Sequence, residues 1–561
     1  MTSQRQWWHS STIYQIYPRS FCDSGSKGHG DIKGITSRLD YLKQLGIGTV
    51  WLCPIYRSPQ IDNGYDISDY YQIEPAYGTM ADFDELLRRC HSLGLRLIMD
   101  IVINHTSTEH PWFQKALKEP DSPERDFYIW QEGIDGKPPT NWQSKFGGSA
   151  WQYDEASKQY YLHLFAKEQA DLNWENPKLR EQVCDVMRFW AKKGVDGFRL
   201  DVINLISKDQ RFPQETESGP QQDGRRFYTD GPRVHEFLQE ANREVFTPFK
   251  LMTVGEMSST TLEQCQRYSD PDSHELSMVF NFHHLKVDYP GGDKWQLAQC
   301  DLISLKAIFA HWQQGLHNVG WNALFWCNHD QPRIVSRFGC DGPHRVFSAK
   351  MLGTALHMMQ GTPFIYQGEE IGMTNPKFKH LEQYQDVETH NIYRLKQSQG
   401  TCHQDLMAVI GDRSRDNSRT PMQWDETPNA GFTRGTPWLD VAENFPEINV
   451  KRALEDPDSV FYHYQKLIQL RRDYPIITEG DYQDLCPEDP KSWCYLRQYQ
   501  EQKLLVINNF SANPIDWQLP QSLPQTGWQL VCANYPGSPE PSSAMTLRPY
   551  ESLVFLNNGE K

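Results

Sequence analysis

The feature that most limits what this chain can fold into is a rhythm. Short apolar runs of strand length recur along it, each ending in polar residues: Ile13–Pro18, Thr49–Pro54, Leu95–Val102, Gly197–Val202, Leu251–Glu256, Ser277–Phe282, Asn322–Asp330 and Pro363–Glu370. Between most of them apolar residues recur at three- and four-residue spacing, as in Ile35–Leu45, Phe83–Leu93, Leu179–Lys193 and Val234–Val245, which is helical periodicity. Continuous apolar strands alternating with amphipathic helices give a parallel sheet covered by helices. Eight such strands are the number for a (β/α)₈ barrel; by periodicity alone, an open doubly wound sheet is equally compatible.

Two stretches break the rhythm. Asn104 to Leu172 is rich in Trp, Tyr, Pro and Gly without a clear helical period, and insertions that long inside a domain are usually functional lids or small inserted domains. From Thr478 onward short alternating runs such as Trp493–Gln498, Leu504–Asn508 and Leu553–Leu556 read as an all-β terminal domain. The division is therefore 1–103 with 173–477, then 104–172, then 478–561.

Charge removes several classes of partner. With 56 Lys and Arg against 72 Asp and Glu, the net charge is −16. That argues against a nucleic-acid backbone, which is held by many cations, and against a polybasic membrane anchor. No apolar run is long enough to cross a bilayer, and the first residues lack a signal-peptide pattern. The 12 cysteines are scattered singly, without metal-binding spacing, as expected of free thiols in a reducing compartment. A cytoplasmic location is expected. Oligomeric state is not legible.

Polar residues at the C-terminal ends of barrel strands are where chemistry is expected. Strand three closes on Asp100 to His105, strand four on Arg199-Leu200-Asp201, strand five on Gly255-Glu256, and strand seven on Asn328-His329-Asp330. Three carboxylates delivered to one face suit glycoside hydrolysis through a covalent intermediate, which needs an ionised nucleophile and a protonated acid. Arg199 lies two residues before Asp201, on the same strand face, and would hold it ionised. Glu256 has no cation beside it in its strand, so a dry site would raise its pKa toward that of a general acid.

These runs resemble the sequence blocks of the α-amylase superfamily of glycoside hydrolases, in order and over nearly the whole chain. The resemblance implies a (β/α)₈ TIM barrel, an inserted domain B after strand three and a C-terminal antiparallel β-sandwich. It places the nucleophile at Asp201, the general acid/base at Glu256 and the transition-state-stabilising carboxylate at Asp330. It also places His105, His329 and Arg199 around the sugar in the −1 subsite. Asp62-Asn63-Gly64-Tyr65-Asp66 resembles the segment that sets an aspartate on glucose hydroxyls and a tyrosine ring under the sugar. The run Arg415 to Trp424 is similar to one whose later arginine, here Arg419, pairs with that aspartate to close the pocket. A closed floor implies removal of one terminal glucose.

Gln169-Ala170-Asp171-Leu172-Asn173 resembles the block of the oligo-1,6-glucosidase-like branch, with Ala170 where that branch usually has Pro. Val202 matches members that cut α-1,6 or α-1,1 bonds. The longer runs Asn141–Gly148, Gly224–Pro232 and His283–Gly292 are similar to members that hydrolyse phosphorylated trehalose. That implies a phosphorylated disaccharide substrate, α,α-trehalose 6-phosphate, split to glucose and glucose 6-phosphate. Isomaltose-type and sucrose-type sugars are the alternatives. A non-catalytic glucosidase-like binding protein, as in transporter heavy chains, is more remote, because those chains need a membrane anchor. For the phosphate, Lys286 and Lys294 are expected ligands, helped by His284. The run Asp23–Asp31 resembles a Ca²⁺ loop of related glucosidases, but Lys27 stands where a ligand is needed. No metal and no cofactor are expected.

Overall fold

The computed structural model describes residues 5–218, 222–538 and 542–559. Eight parallel strands form one sheet: β1 (Ile13–Ile16), β2 (Thr49–Leu52), β3 (Arg96–Ile101), β4 (Gly197–Leu200), β5 (Met252–Glu256), β6 (Met278–Phe280), β7 (Ala323–Phe325) and β8 (Thr362–Tyr366). Their spatial order is β6-β5-β4-β3-β2-β1-β8-β7, and a parallel bridge from Val279 to Asn322 joins the two edges. The sheet is closed, so the barrel holds and the open alternative does not. β1, β2, β4 and β8 are buried along their whole length, which is why they read as unbroken apolar runs.

Local chemistry explains why the alternation works. The helix Pro177–Lys193 starts at Asn176, whose side chain accepts the Lys178 N–H, and it ends at Gly194 in the left-handed conformation. Leu179, Val183, Met187 and Trp190 form its buried stripe; burying each contributes about 2 kcal/mol. β4 begins with Gly197 because a Cβ there would meet the Met252 carbonyl oxygen at 2.1 Å. That glycine lets β4 and β5 lie close, and these strands carry Arg199 and Glu256.

Between β3 and β4 the chain leaves the barrel. It forms a helix (Pro111–Lys118), a three-stranded antiparallel sheet (Trp130–Glu132, Trp151–Asp154, Gln159–Leu162) and a two-stranded stem pairing His105–Ser107 with Gln169–Asp171. This lobe does not close its own core. Trp142, Trp151, Leu162 and Leu164 pack with Val202, Leu205 and Tyr228 from the loop after β4. A buried ion pair, Lys208 to Asp171 at 2.8 Å, ties the same loop to the stem.

The C-terminal part is a five-stranded antiparallel sheet of Asp481–Asp484, Ser492–Tyr499, Gln502–Asn509, Ser552–Asn557 and Trp528–Ala533, in that spatial order, with a second pair of Ile515–Gln518 and Ala544–Leu547. A buried lysine is among the groups that join it to the barrel. Lys306, fully buried on the helix Leu302–Leu316, donates to the carbonyls of Cys486, Asp489 (2.7 Å) and Ser492 (3.1 Å). Replacing Lys306 by Met leaves those carbonyls without their charged donor and is expected to destabilise the fold by about 3 kcal/mol. Urea unfolding should show a lower midpoint, while the folded fraction keeps its activity.

Candidate active site

The strand ends of β3, β4 and β5 converge on one guanidinium. Arg199 Nη1 donates to Asp100 Oδ1 (2.8 Å) and to Asp201 Oδ1 (2.6 Å). Its Nη2 donates to Glu256 Oε2. The strand face shared by Arg199 and Asp201 is as the two-residue period requires, but Glu256 is not free of cations: β5 lies beside β4, so the same arginine reaches both carboxylates. Arg199 is 2% exposed, so three carboxylates share one charge out of water.

That imbalance sets their protonation. Burial pushes Glu256 up to about 8, helped by the charges of Asp201 and Asp330 and opposed by Arg199 and the Val202 N–H. Burial also raises Asp201, against the pull of Arg199. The Glu256 carboxyl hydrogen-bonds Asp201 and favours its charged form, whereas Glu256 faces the charges of Asp201 and Asp330; the retained proton therefore belongs on Glu256. Val202, directly after Asp201, has φ +37°, a strained conformation for a β-branched residue. This turn aims its N–H at Glu256 Oε2 (3.3 Å).

Asp330 is held differently. β7 ends at Phe325, so Asn328, His329 and Asp330 lie on the loop beyond it. Burial alone would favour protonation, but His329, Arg415 and Arg419 hold Asp330 far below the usual carboxylate range. Arg419 Nη2 lies 2.6 Å from Asp330 Oδ1, and its Nε donates to the His329 carbonyl. The His329 ring stacks on Tyr65, with centroids 5.0 Å apart and planes 3° apart. Gln15 Nε2 donates to its Nδ1 (2.8 Å), which leaves the ring proton on Nε2, 3.6 Å from Asp330. Tyr65 Oη donates to Asp100 (2.8 Å). His105 is buried; its Nε2 lies 3.2 Å from the Tyr65 carbonyl and 3.2 Å from Gln169 Nε2. Burial lowers the pKa of both histidines, so each is a neutral hydrogen-bonding ring.

The pocket floor differs from expectation in one residue. Asp62 is paired with Arg415, not with Arg419: Arg415 Nη2 lies 3.3 Å from Asp62 Oδ1 and its Nη1 3.4 Å from Asp330 Oδ1. The buried Asp386 anchors Arg415 at 2.6 Å. Both arginines sit on one helical turn, four residues apart, and reach the same space. That spacing was the signal for Arg415. Gln169, donating to Asp62 Oδ2 (3.2 Å), is a further contact that sequence reasoning did not single out.

Of the expected phosphate ligands, His284 is turned away from the pocket, and Lys294 lies at the pocket edge with a carboxylate partner that also reaches Arg415. His284 turns inward: its Nε2 donates to the Phe325 carbonyl (2.9 Å), its ring packs on Phe309 and Phe325, and burial pushes its pKa to about 3. Lys294 is ion-paired with Glu388 at 2.8 Å. Lys286 is exposed at the turn after β6.

The Asp23–Asp31 loop does not fit calcium, which takes six to eight oxygens. Asp23 already accepts from the Gly25 and Gly28 N–H groups and from the Thr433 hydroxyl. Asp31 accepts from Ser24 and Gly34. The Lys27 ammonium lies 4.0 Å from Asp31 and 3.3 Å from the Ala76 carbonyl.

A family model described as the α-amylase catalytic domain matches residues 15–480, and one for the C-terminal domain of the α-amylase SusG matches residues 493–554. The chain belongs to the α-amylase family. It is a glycoside hydrolase of the α-glycosidase type. A trehalose-6-phosphate hydrolase of Bacillus subtilis is 59% identical, and one of Escherichia coli 58%; the alignments cover 99% of this chain and 99% and 100% of those proteins. An oligo-1,6-glucosidase of Halalkalibacterium halodurans is 54% identical over 99% of this chain and 100% of its own. Among solved structures, the Bacillus licheniformis trehalose-6-phosphate hydrolase superposes with a TM-score of 0.94 at 56% identity, covering 98% of this chain and 100% of that one. The enzyme has, among its described residues, no helix long and apolar enough to cross a membrane.

Three outcomes follow. With Glu256 as the general acid, which must be protonated, kcat/KM is expected to fall as pH rises through about 8. Glu256→Gln should lower kcat by about 10³-fold and abolish that limb in a pH–rate profile. Excess chelator should leave the thermal midpoint of this enzyme unchanged, as differential scanning calorimetry would read.

Proposed function

We propose that this enzyme hydrolyses α,α-trehalose 6-phosphate to glucose and glucose 6-phosphate with retention of configuration. The observation that carries the mechanism is the single Arg199 guanidinium gripping both Asp201 and Glu256. A shared guanidinium keeps the two carboxylates close, which suits the roughly 5 Å spacing of a nucleophile and acid rather than the wider gap that admits a water.

The reaction then runs as follows. Glucose occupies the pocket closed by Asp62 and Arg415. Asp201 attacks its anomeric carbon while Glu256 gives its proton to the bridging oxygen; the C–O bond breaks and glucose 6-phosphate departs. Charge builds on the ring carbon and oxygen, beside Asp330, which its arginines keep ionised. A water then replaces the leaving group, gives its proton to Glu256 and attacks the glucosyl ester, which restores both carboxylates. His105 and His329, as neutral rings, bind sugar hydroxyls without cancelling the negative charge of the site.

The choice of substrate is supported by the high identity, over nearly the whole of both chains, to two proteins named trehalose-6-phosphate hydrolase. The oligo-1,6-glucosidase named among the relatives keeps isomaltose as the second reading. A cytoplasmic setting is supported by the 12 cysteines, all free thiols.

Trehalose 6-phosphate, trehalose and isomaltose offered at equal concentration decide between the readings. Glucose and glucose 6-phosphate should appear in equal amounts from the first, at a rate at least tenfold above the others; faster turnover of isomaltose overturns the substrate assignment. In Glu256→Gln, an activated aryl glucoside should leave one glucosyl unit bound to Asp201, visible by peptide mass spectrometry.

A further inference from the structure

Two cations from separate segments share a carboxylate beside the pocket, and a third lies within range of their charge. Lys145 comes from the inserted lobe, Arg225 from the loop after β4, and Lys286 from the turn after β6. Arg225 clamps Asp223 through Nε (2.8 Å) and Nη2 (2.7 Å), and the same carboxylate lies 3.9 Å from Lys145 Nζ. Lys286 has no carboxylate partner among the described residues; the charged group acting on it is Arg225. Three positive charges against one negative leave a net +2.

The cluster is under electrostatic load. Burial, together with Arg225 and Lys286, lowers the Lys145 ammonium to about 8, although Asp223 opposes this. The protein around Lys286, and then Arg225, lowers Lys286 in turn, even though its side chain reaches solvent. Like charges held together without a matching anion are unfavourable, so a dianion placed among them relieves a cost already present in the free enzyme. A sugar phosphate near neutral pH carries close to two negative charges.

The position suits the leaving group. Next to Lys145, the Phe146 ring lies 4.9 Å from the guanidinium of Arg415, the arginine that touches Asp62 and Asp330. Lys145 Nζ stands 5.1 Å from the Tyr228 ring, and Tyr228 shares an apolar cluster with Val202, the residue after the nucleophile. The cations therefore flank the pocket on the side of the Asp201–Val202 turn and do not touch the catalytic carboxylates.

We propose that Lys145, Arg225 and Lys286 form the cradle for the phosphate of the departing glucose 6-phosphate, with Asp223 fixing Arg225 in place. The cradle rests on the substrate reading given above. Arg225 presents a rigid fork and the two lysines mobile point charges. The lobe, the β4 loop and the β6 turn must all be in place for it to exist.

The test compares kcat/KM for trehalose 6-phosphate with that for trehalose in the whole enzyme and in Lys286→Met, Lys145→Met and Lys286→Arg. The ratio should fall about tenfold or more in each Met variant, mostly through KM, and should stay near that of the parent enzyme in Lys286→Arg. Equal loss on both substrates in the Met variants overturns the cradle. Lys286 is exposed, so its variant decides the matter even if Lys145→Met fails to fold. If the unmodified enzyme shows no preference for the phosphorylated sugar, the substrate reading itself falls, and the cradle with it.

Discussion

Arg199 sets the electrostatics of the site around it. Its guanidinium is the shared partner of Asp100, Asp201 and Glu256, while its Nε–H is buried without a partner. Removing it would leave three carboxylates out of water with no counter-charge, far more costly than losing an exposed pair. Keeping it still leaves an excess of carboxylates, so the cluster retains a proton on Glu256, which is the state a retaining glycosidase needs before substrate arrives. Geometry and charge are inseparable here: β4 and β5 can share the arginine because Gly197 lets the strands approach.

A second balance operates across the pocket. Asp330 is kept ionised by two arginines; Asp386 holds both, and Asp62 holds Arg415 in addition. Acidic and basic groups alternate there, whereas acids outnumber the base around Arg199. The enzyme thus holds one carboxyl protonated and another ionised in the same small volume, by distributing a few guanidinium groups unevenly. A chain of net charge −16 can gather cations locally in this way, because the balance that matters spans a few ångströms.

Much of this was legible in the sequence because strand ends are. Apolar runs closing on Asp201 and Glu256 carry their register with them, and Arg199 falls on the face of Asp201 by the two-residue period. What the sequence did not carry were contacts made across the chain. The turn Asp416–Arg419 offers two arginines four residues apart, and only its packing decides that Arg415 meets Asp62 while Arg419 meets Asp330. Lys294 reads as a free cation until Glu388, far along the chain, is brought to it. His284 sits in a run that looks basic, yet the short turn at His283–Lys286 rotates its ring into the aromatic interior. Glu256 looked free of cations because its neighbour lies on the next strand.

The unfinished core of the inserted lobe bears on the order in which the molecule is made. Trp142 and Trp151 cannot be sheltered until Val202, Leu205 and Tyr228 exist, so a ribosome must run well past the lobe's own sequence before that lobe has a stable interior. Contacts so distant along the chain form late, because loop closure must precede them. The turn that follows Asp201 is part of the same cluster. The lobe and the Asp201–Val202 turn therefore share one packing unit, and the shelter of each depends on the other being in place.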